Sequence, residues 1–151
     1  MRRLDARGLG MLELLLALAL GAAVVVLVLP SFARYQQVRD LRHAARQLLA
    51  DVRLAQQHAQ TLDANVRLVY APGPPSRYTL EKADGSPLKQ TEVPATVTVS
   101  GSYIATPLEF RPSGAPAAAG EFCLTEGTQI LRLDVAAGTG RAQLSEVTSC
   151  P

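Results

Sequence analysis

The sequence predicts an α+β protein: a long N-terminal α-helix, with a membrane half and an amphipathic half, packed on a small antiparallel β-domain. Three observations predict it. An apolar run occupies residues 9–29, a stripe of apolar residues at helical spacing runs from Val38 to Leu62, and short alternating segments separated by Gly and Pro fill the rest. A chain of 151 residues is long enough for one domain plus an anchor.

Residues 1–8 are short, basic and polar, with Arg2, Arg3 and Arg7 set against Asp5. The apolar run of 21 residues follows, and Glu13 is its one charge. As a helix it is about 31 Å long, close to the hydrocarbon thickness of a bilayer. The leading arginines place the N-terminus in the cytoplasm and the remainder outside, although arginines from Arg34 onward keep that rule from deciding alone. Pro30 removes one backbone hydrogen bond and crowds the carbonyl of Val26. The β-branched stretch before it adds to the expectation of a kink or soft spot from about Gly21 to Pro30.

Helical periodicity resumes after the proline. Val38, Leu41, Ala45, Leu48, Val52, Ala55, Ala59 and Leu62 are spaced three and four apart, a stripe on one helix face. Arg39, Arg42, Arg46 and Arg53 keep another side wet. Helix is therefore expected from about residue 9 to about 62, divided at 30 into a membrane and an amphipathic part.

Residues 63–151 read as the β-domain. Val66, Leu68 and Tyr70 alternate with Arg67 and Val69. Segments 78–82 and 88–91 flank Asp84-Gly85, a hairpin signal. Strands are also expected at 96–100, 108–110, 121–124, 129–135 and 141–147, with 112–120 as a Gly/Pro/Ala separator. They form one antiparallel sheet or two small ones under the helix stripe. This part carries 7 Lys/Arg and 9 Asp/Glu, and the whole chain only +2, too little to imply a polyanionic partner. The two cysteines, Cys123 and Cys150, are either a disulfide or two free thiols; an exported domain favours the disulfide, which would close a loop of 28 residues.

The stretch RGLGMLELLLALAL, residues 7–20, resembles a type IV prepilin leader and its helix. The resemblance rests on Gly8 followed by Leu9, Glu13 a short distance on, a basic leader, an unbroken apolar run and Pro30. It implies residues 1–8 as a leader peptide cut by a prepilin peptidase after Gly8, N-methylation at Leu9, and assembly roles for Glu13 and Pro30. Leu9 stands where phenylalanine is commonest in the family, and Gly10 where threonine is frequent. From Pro30 to Val69, and again at 131–135 with Gly140-Arg141, the chain is similar to the GspH/FimT branch of minor pilins and pseudopilins. That branch has a long helix on a small antiparallel domain. Its members are low-abundance subunits of a type IV pilus or a type II secretion pseudopilus. The implied partners are other pilin or pseudopilin subunits, the peptidase and cytoplasmic membrane lipid, with the β-domain outside the cytoplasm.

Catalysis is not expected. His43 and His58 lie far apart on the helix, and the sequence holds no nucleophile elbow, phosphate-binding glycine loop or metal-ligand cluster, so neither a cofactor nor a metal is implied. A DNA-uptake role is the alternative within the family, with Arg39, Arg42, Arg46 and Arg141 as the candidate nucleic-acid contacts. It is not favoured, because Gln143 stands where DNA-binding members carry a second basic residue. Outside the family, the alternative is a membrane-anchored extracytoplasmic binding domain.

Overall fold

The computed structural model describes the backbone of residues 6–150 and the side chains of residues 10–23 and 38–150. Helix α1 spans Ala6–Leu62, beginning three residues before the apolar run. The chain divides into two units, Met1–Gln36 and Gln37–Pro151.

In the first unit every described side chain is exposed. Met11 is 72% exposed, and Leu12, Leu14, Leu15, Leu16, Leu18 and Leu20 are each 60% or more. Among the described residues no helix is long and apolar enough to cross a membrane. The side chains of residues 24–29, which complete the apolar run, lie outside those described. So do Gly8, Leu9 and Pro30, and most of the segment expected to kink.

In the second unit α1 lays its stripe on the sheets. Leu41, Ala45, Leu48, Val52, Ala55 and Ala59 are buried as the spacing predicts, and Ala44 joins them. The ends of the stripe differ: Val38 is half-buried and Leu62 is 42% exposed, because the core stops short of both. After Leu62 the chain reverses through Asp63, whose φ of 48° is left-handed, and Ala64 N donates to Ala59 O at 3.3 Å. Asp is one of the few side chains that tolerates this conformation at a helix end.

Eight strands follow: β1 Val66–Ala71, β2 Arg77–Lys82, β3 Pro87–Glu92, β4 Thr98–Ser100, β5 Leu108–Phe110, β6 Gly120–Glu126, β7 Gln129–Val135 and β8 Ala142–Val147. They make two four-stranded antiparallel sheets, in the orders β3-β2-β1-β5 and β4-β6-β7-β8. A single 3-10 turn, Ser102–Ile104, lies between β4 and β5. The Asp84-Gly85 hairpin forms as read. Gly85 has φ 83°, and Asp84 Oδ1 accepts from Ser86 N at 2.8 Å and from Ser86 Oγ at 2.6 Å. The separator at 112–120 is more ordered than expected: Ala117 N donates to Glu109 O at 2.7 Å, and Phe110 bridges to Pro116.

Strand alternation supplies the other half of the core. Val66 and Leu68 on β1, Tyr78 and Leu80 on β2, Phe122 and Leu124 on β6, and Leu131, Leu133 and Val135 on β7 join the helix stripe in one apolar cluster.

Candidate assembly surfaces and their support

Glu13 is exposed, as are Leu12 and Leu14 on either side and Leu16 beyond them. The described part of the first unit therefore presents an apolar helical surface carrying one carboxylate. A surface of that kind is stable in lipid or against other helices, and is costly in water.

In the second unit the helix is bonded to the first sheet through a buried carboxylate that the sequence reading did not single out. Asp51 is 2% exposed. It accepts from Lys89 Nζ at 2.6 Å, Tyr78 Oη at 2.9 Å and Thr91 Oγ1 at 3.0 Å, with Gln47 Nε2 at 3.3 Å. Burial alone would raise the Asp51 carboxyl, but the bonds from Lys89, Tyr78, Thr91 and Gln47 outweigh it and hold the group below its ordinary range. The Tyr78 hydroxyl moves the other way, raised by burial and then by the Asp51 charge beside it. The signal was present in the sequence: Asp51 directly precedes Val52 and sits three residues after Leu48, on the buried side of the helix.

One turn further along, Gln56 Nε2 donates to Gly114 O at 2.7 Å and to Thr139 O at 3.0 Å, joining two loops to the helix. Gly140 has φ 67°, and a Cβ there would meet Gln56 Nε2 and Gly114 O, each at 2.6 Å. At the far end of the chain Cys123 and Cys150 form a disulfide, with Cα atoms 6.3 Å apart. It ties the segment after β8 back to β6, across the intervening β7.

The four arginines named as nucleic-acid contacts are distributed over more than one cleft. Arg39, Arg42 and Arg46 line a shallow cleft with Asp40 and His43. Arg141 lines another with Arg53, Gln56 and Gln57, and a third with Glu121 and Asp134. A cavity of about 380 Å³ opens between α1 and the sheets, lined by Ala44, Leu48, Tyr70, Val93, Phe122 and Leu124, with His43 and Glu92 as polar members. Among the described residues no three His, Cys, Asp or Glu side chains are placed to hold a metal.

A family model described as Type II transport protein GspH matches residues 44–140, which is more than half of the chain. The chain belongs to the GspH family. The match begins on the helix stripe at Ala44 and ends at Gly140, so it covers the Asp51 network and both loops bonded to Gln56. No curated protein matches this GspH-family chain. Among solved structures it is similar to the type IV minor pilin FimU of Pseudomonas aeruginosa, with 20% identity, coverage of 78% of this chain and 99% of that one, and a TM-score of 0.64. It is also similar to the minor pseudopilin EpsH of the type 2 secretion system of Vibrio cholerae, with 14% identity, 71% and 97% coverage, and a TM-score of 0.57. At those identities the likeness establishes the fold, a helix on a small antiparallel domain. Membership in a family of pilin-type structural subunits agrees with the expectation that this chain is not an enzyme.

Proposed function

We propose that this chain is a minor pilin or pseudopilin of a type IV pilus or type II secretion pseudopilus, made as a precursor and assembled through α1. A prepilin peptidase cuts after Gly8, Leu9 becomes the N-methylated first residue, and the apolar run holds the subunit in the cytoplasmic membrane with its N-terminus inside. The β-domain then faces away from the cytoplasm. The observation that carries this reading is the exposed apolar helix around Glu13, in a chain whose family and fold are pilin-like.

Glu13 has a physical role in that account. A carboxylate in a membrane helix costs about 2.5–3.5 kcal/mol at the helix centre, and less near an end, so it needs a partner. Cleavage after Gly8 creates an α-amine whose ordinary pKa of about 8 leaves it cationic near neutral pH. The amine of a neighbouring subunit pairs with Glu13 as helices bundle, and a buried pair of this kind selects one register among many. The test is Glu13→Ala in the native cell. Cleavage is expected to proceed while incorporation into the filament falls about tenfold or more, the equivalent of about 1.4 kcal/mol. Normal incorporation of the variant would contradict the assignment.

A further inference from the structure

The register of β1 against β2 sets Tyr70 directly opposite Tyr78, two positions from the facing pair Leu68 and Leu80. Alternation puts all four on the inner face of the first sheet, with Tyr78 buried and Tyr70 half-buried. Phe122 on β6 lines the same space from the second sheet, and on α1 Ala44 presents only a methyl group. The result is the cavity of about 380 Å³, walled by three of the seven Tyr and Phe residues of a chain that has no Trp, with Pro75 and Pro94 beside them. Its floor is formed by buried residues, and its mouth is exposed at His43, Glu92 and Ala95. That volume lies in the range of ligand sites, and close-packed interiors seldom leave so much room unfilled.

The lining selects the occupant. An aromatic ring packs on Tyr70, Tyr78 and Phe122 in offset or edge-to-face contact. The side chains of His43, Tyr70 and Glu92 take no hydrogen bond or ion pair among the described residues, so their polar atoms are available to a ligand. A peptide that inserts a ring also brings a backbone N–H to donate to the Glu92 carboxylate and a carbonyl to accept from the Tyr70 hydroxyl, whereas a free aromatic molecule brings the ring alone. We propose that this cavity is a binding site for one aromatic side chain on an exposed peptide segment of a different protein chain. A second copy of this chain does not supply that segment from its described residues: Tyr78, Tyr103, Phe110 and Phe122 are buried, and Tyr70 lines the cavity itself. An aromatic anchor in a desolvated pocket, ringed by polar groups, is the form that the dominant contacts between proteins take. The inference extends the reading of this chain as an assembling subunit, and rests on it for the source of the partner.

The test uses the full chain in lipid vesicles and the blocked peptide acetyl-Gly-Trp-Gly-amide, whose fluorescence anisotropy reports binding without background because the chain has no tryptophan. After subtraction of uptake by protein-free vesicles, binding is expected with a dissociation constant below about 1 mM. Ala95→Phe sets a ring over the mouth and is expected to weaken binding about tenfold or more, and Glu92→Gln to weaken it about threefold. Both residues are exposed, so the thermal midpoints of the two variants are expected at the wild-type value. Acetyl-Gly-Leu-Gly-amide and indole are each expected to displace the probe about tenfold less well than the unlabelled aromatic peptide acetyl-Gly-Phe-Gly-amide. Equal binding by wild type and Ala95→Phe, or no binding above that of protein-free vesicles, would overturn the site. Equal displacement by the leucine peptide or by indole would overturn the assignment to an aromatic side chain on a peptide. None of these readouts requires a filament, so their failure leaves the assembly reading to its own test at Glu13.

Discussion

Lys89 Nζ stands 2.6 Å from Asp51 Oδ1, and the two ends of this bond differ in their access to water: the Asp51 side chain is 2% exposed and that of Lys89 38%. Removing one partner therefore has unequal consequences. Lys89→Met leaves a buried carboxylate with only the neutral donors of Tyr78, Thr91 and Gln47, at an expected cost of about 2–3 kcal/mol, reduced from a fully buried pair by the exposure of the lysine. Asp51→Asn keeps an acceptor for Tyr78 and lets Lys89 turn to solvent, at about 1–2 kcal/mol. Urea unfolding of both variants at pH 7 checks the order, and a larger loss for Asp51→Asn would contradict it.

The same group sets a pH dependence. The Asp51 carboxyl is held below its ordinary range in the folded state, so its contribution is fully present above the unfolded value of about 4 and is lost as pH falls through the lower folded value. The stability gap between wild type and Asp51→Asn is expected to hold from pH 7 to about 5 and to shrink in stronger acid. A gap that stays constant down to pH 2 would show that the charge of Asp51 is not what stabilises the fold.

Gly140 is expected to be intolerant of a side chain. Gly140→Ala must place a Cβ at φ 67° within 2.6 Å of both Gln56 Nε2 and Gly114 O. The expected loss is about 2–4 kcal/mol, from the left-handed backbone and from the displaced Gln56 bonds. Gln56→Ala removes those bonds without adding bulk and should cost about 1–2 kcal/mol. Equal stability of Gly140→Ala and wild type in denaturant melts would contradict the loop arrangement.

The disulfide closes a loop of 28 residues, worth about 3–4 kcal/mol on the chain-entropy account. The double change C123A/C150A is expected to lower stability by about that amount and to free the segment after Val147 for proteolysis. A loss below about 1 kcal/mol would mean that the tail is held by other contacts.

The elements of the β-domain were legible because each strand alternates toward one core, as Val66 and Leu68 or Leu131 and Leu133 do, and because Asp84-Gly85 admits few conformations other than a tight turn. Helix residues at three- and four-residue spacing were legible for the same reason. Asp51 and Glu126 were not, since a carboxylate in a sequence reads as solvated, and its burial depends on donors or neighbours far along the chain. Lys89 is 38 positions from Asp51, and Thr139 is 83 from Gln56. Pairings at such distances follow from the topology of two sheets on one helix, and no local pattern encodes them. At the N-terminus the relation is reversed. The proposed leader junction at Gly8 and Leu9 is carried by sequence pattern alone, and its meaning rests on processing.

Intact-mass and N-terminal peptide analysis of the protein recovered from the membranes of its own cells tests the central claim most directly. The expected result is a mature chain that begins at methylated Leu9. A chain beginning at Met1, or near Leu20, would contradict it, leaving Glu13 as an unexplained charge in an apolar helix.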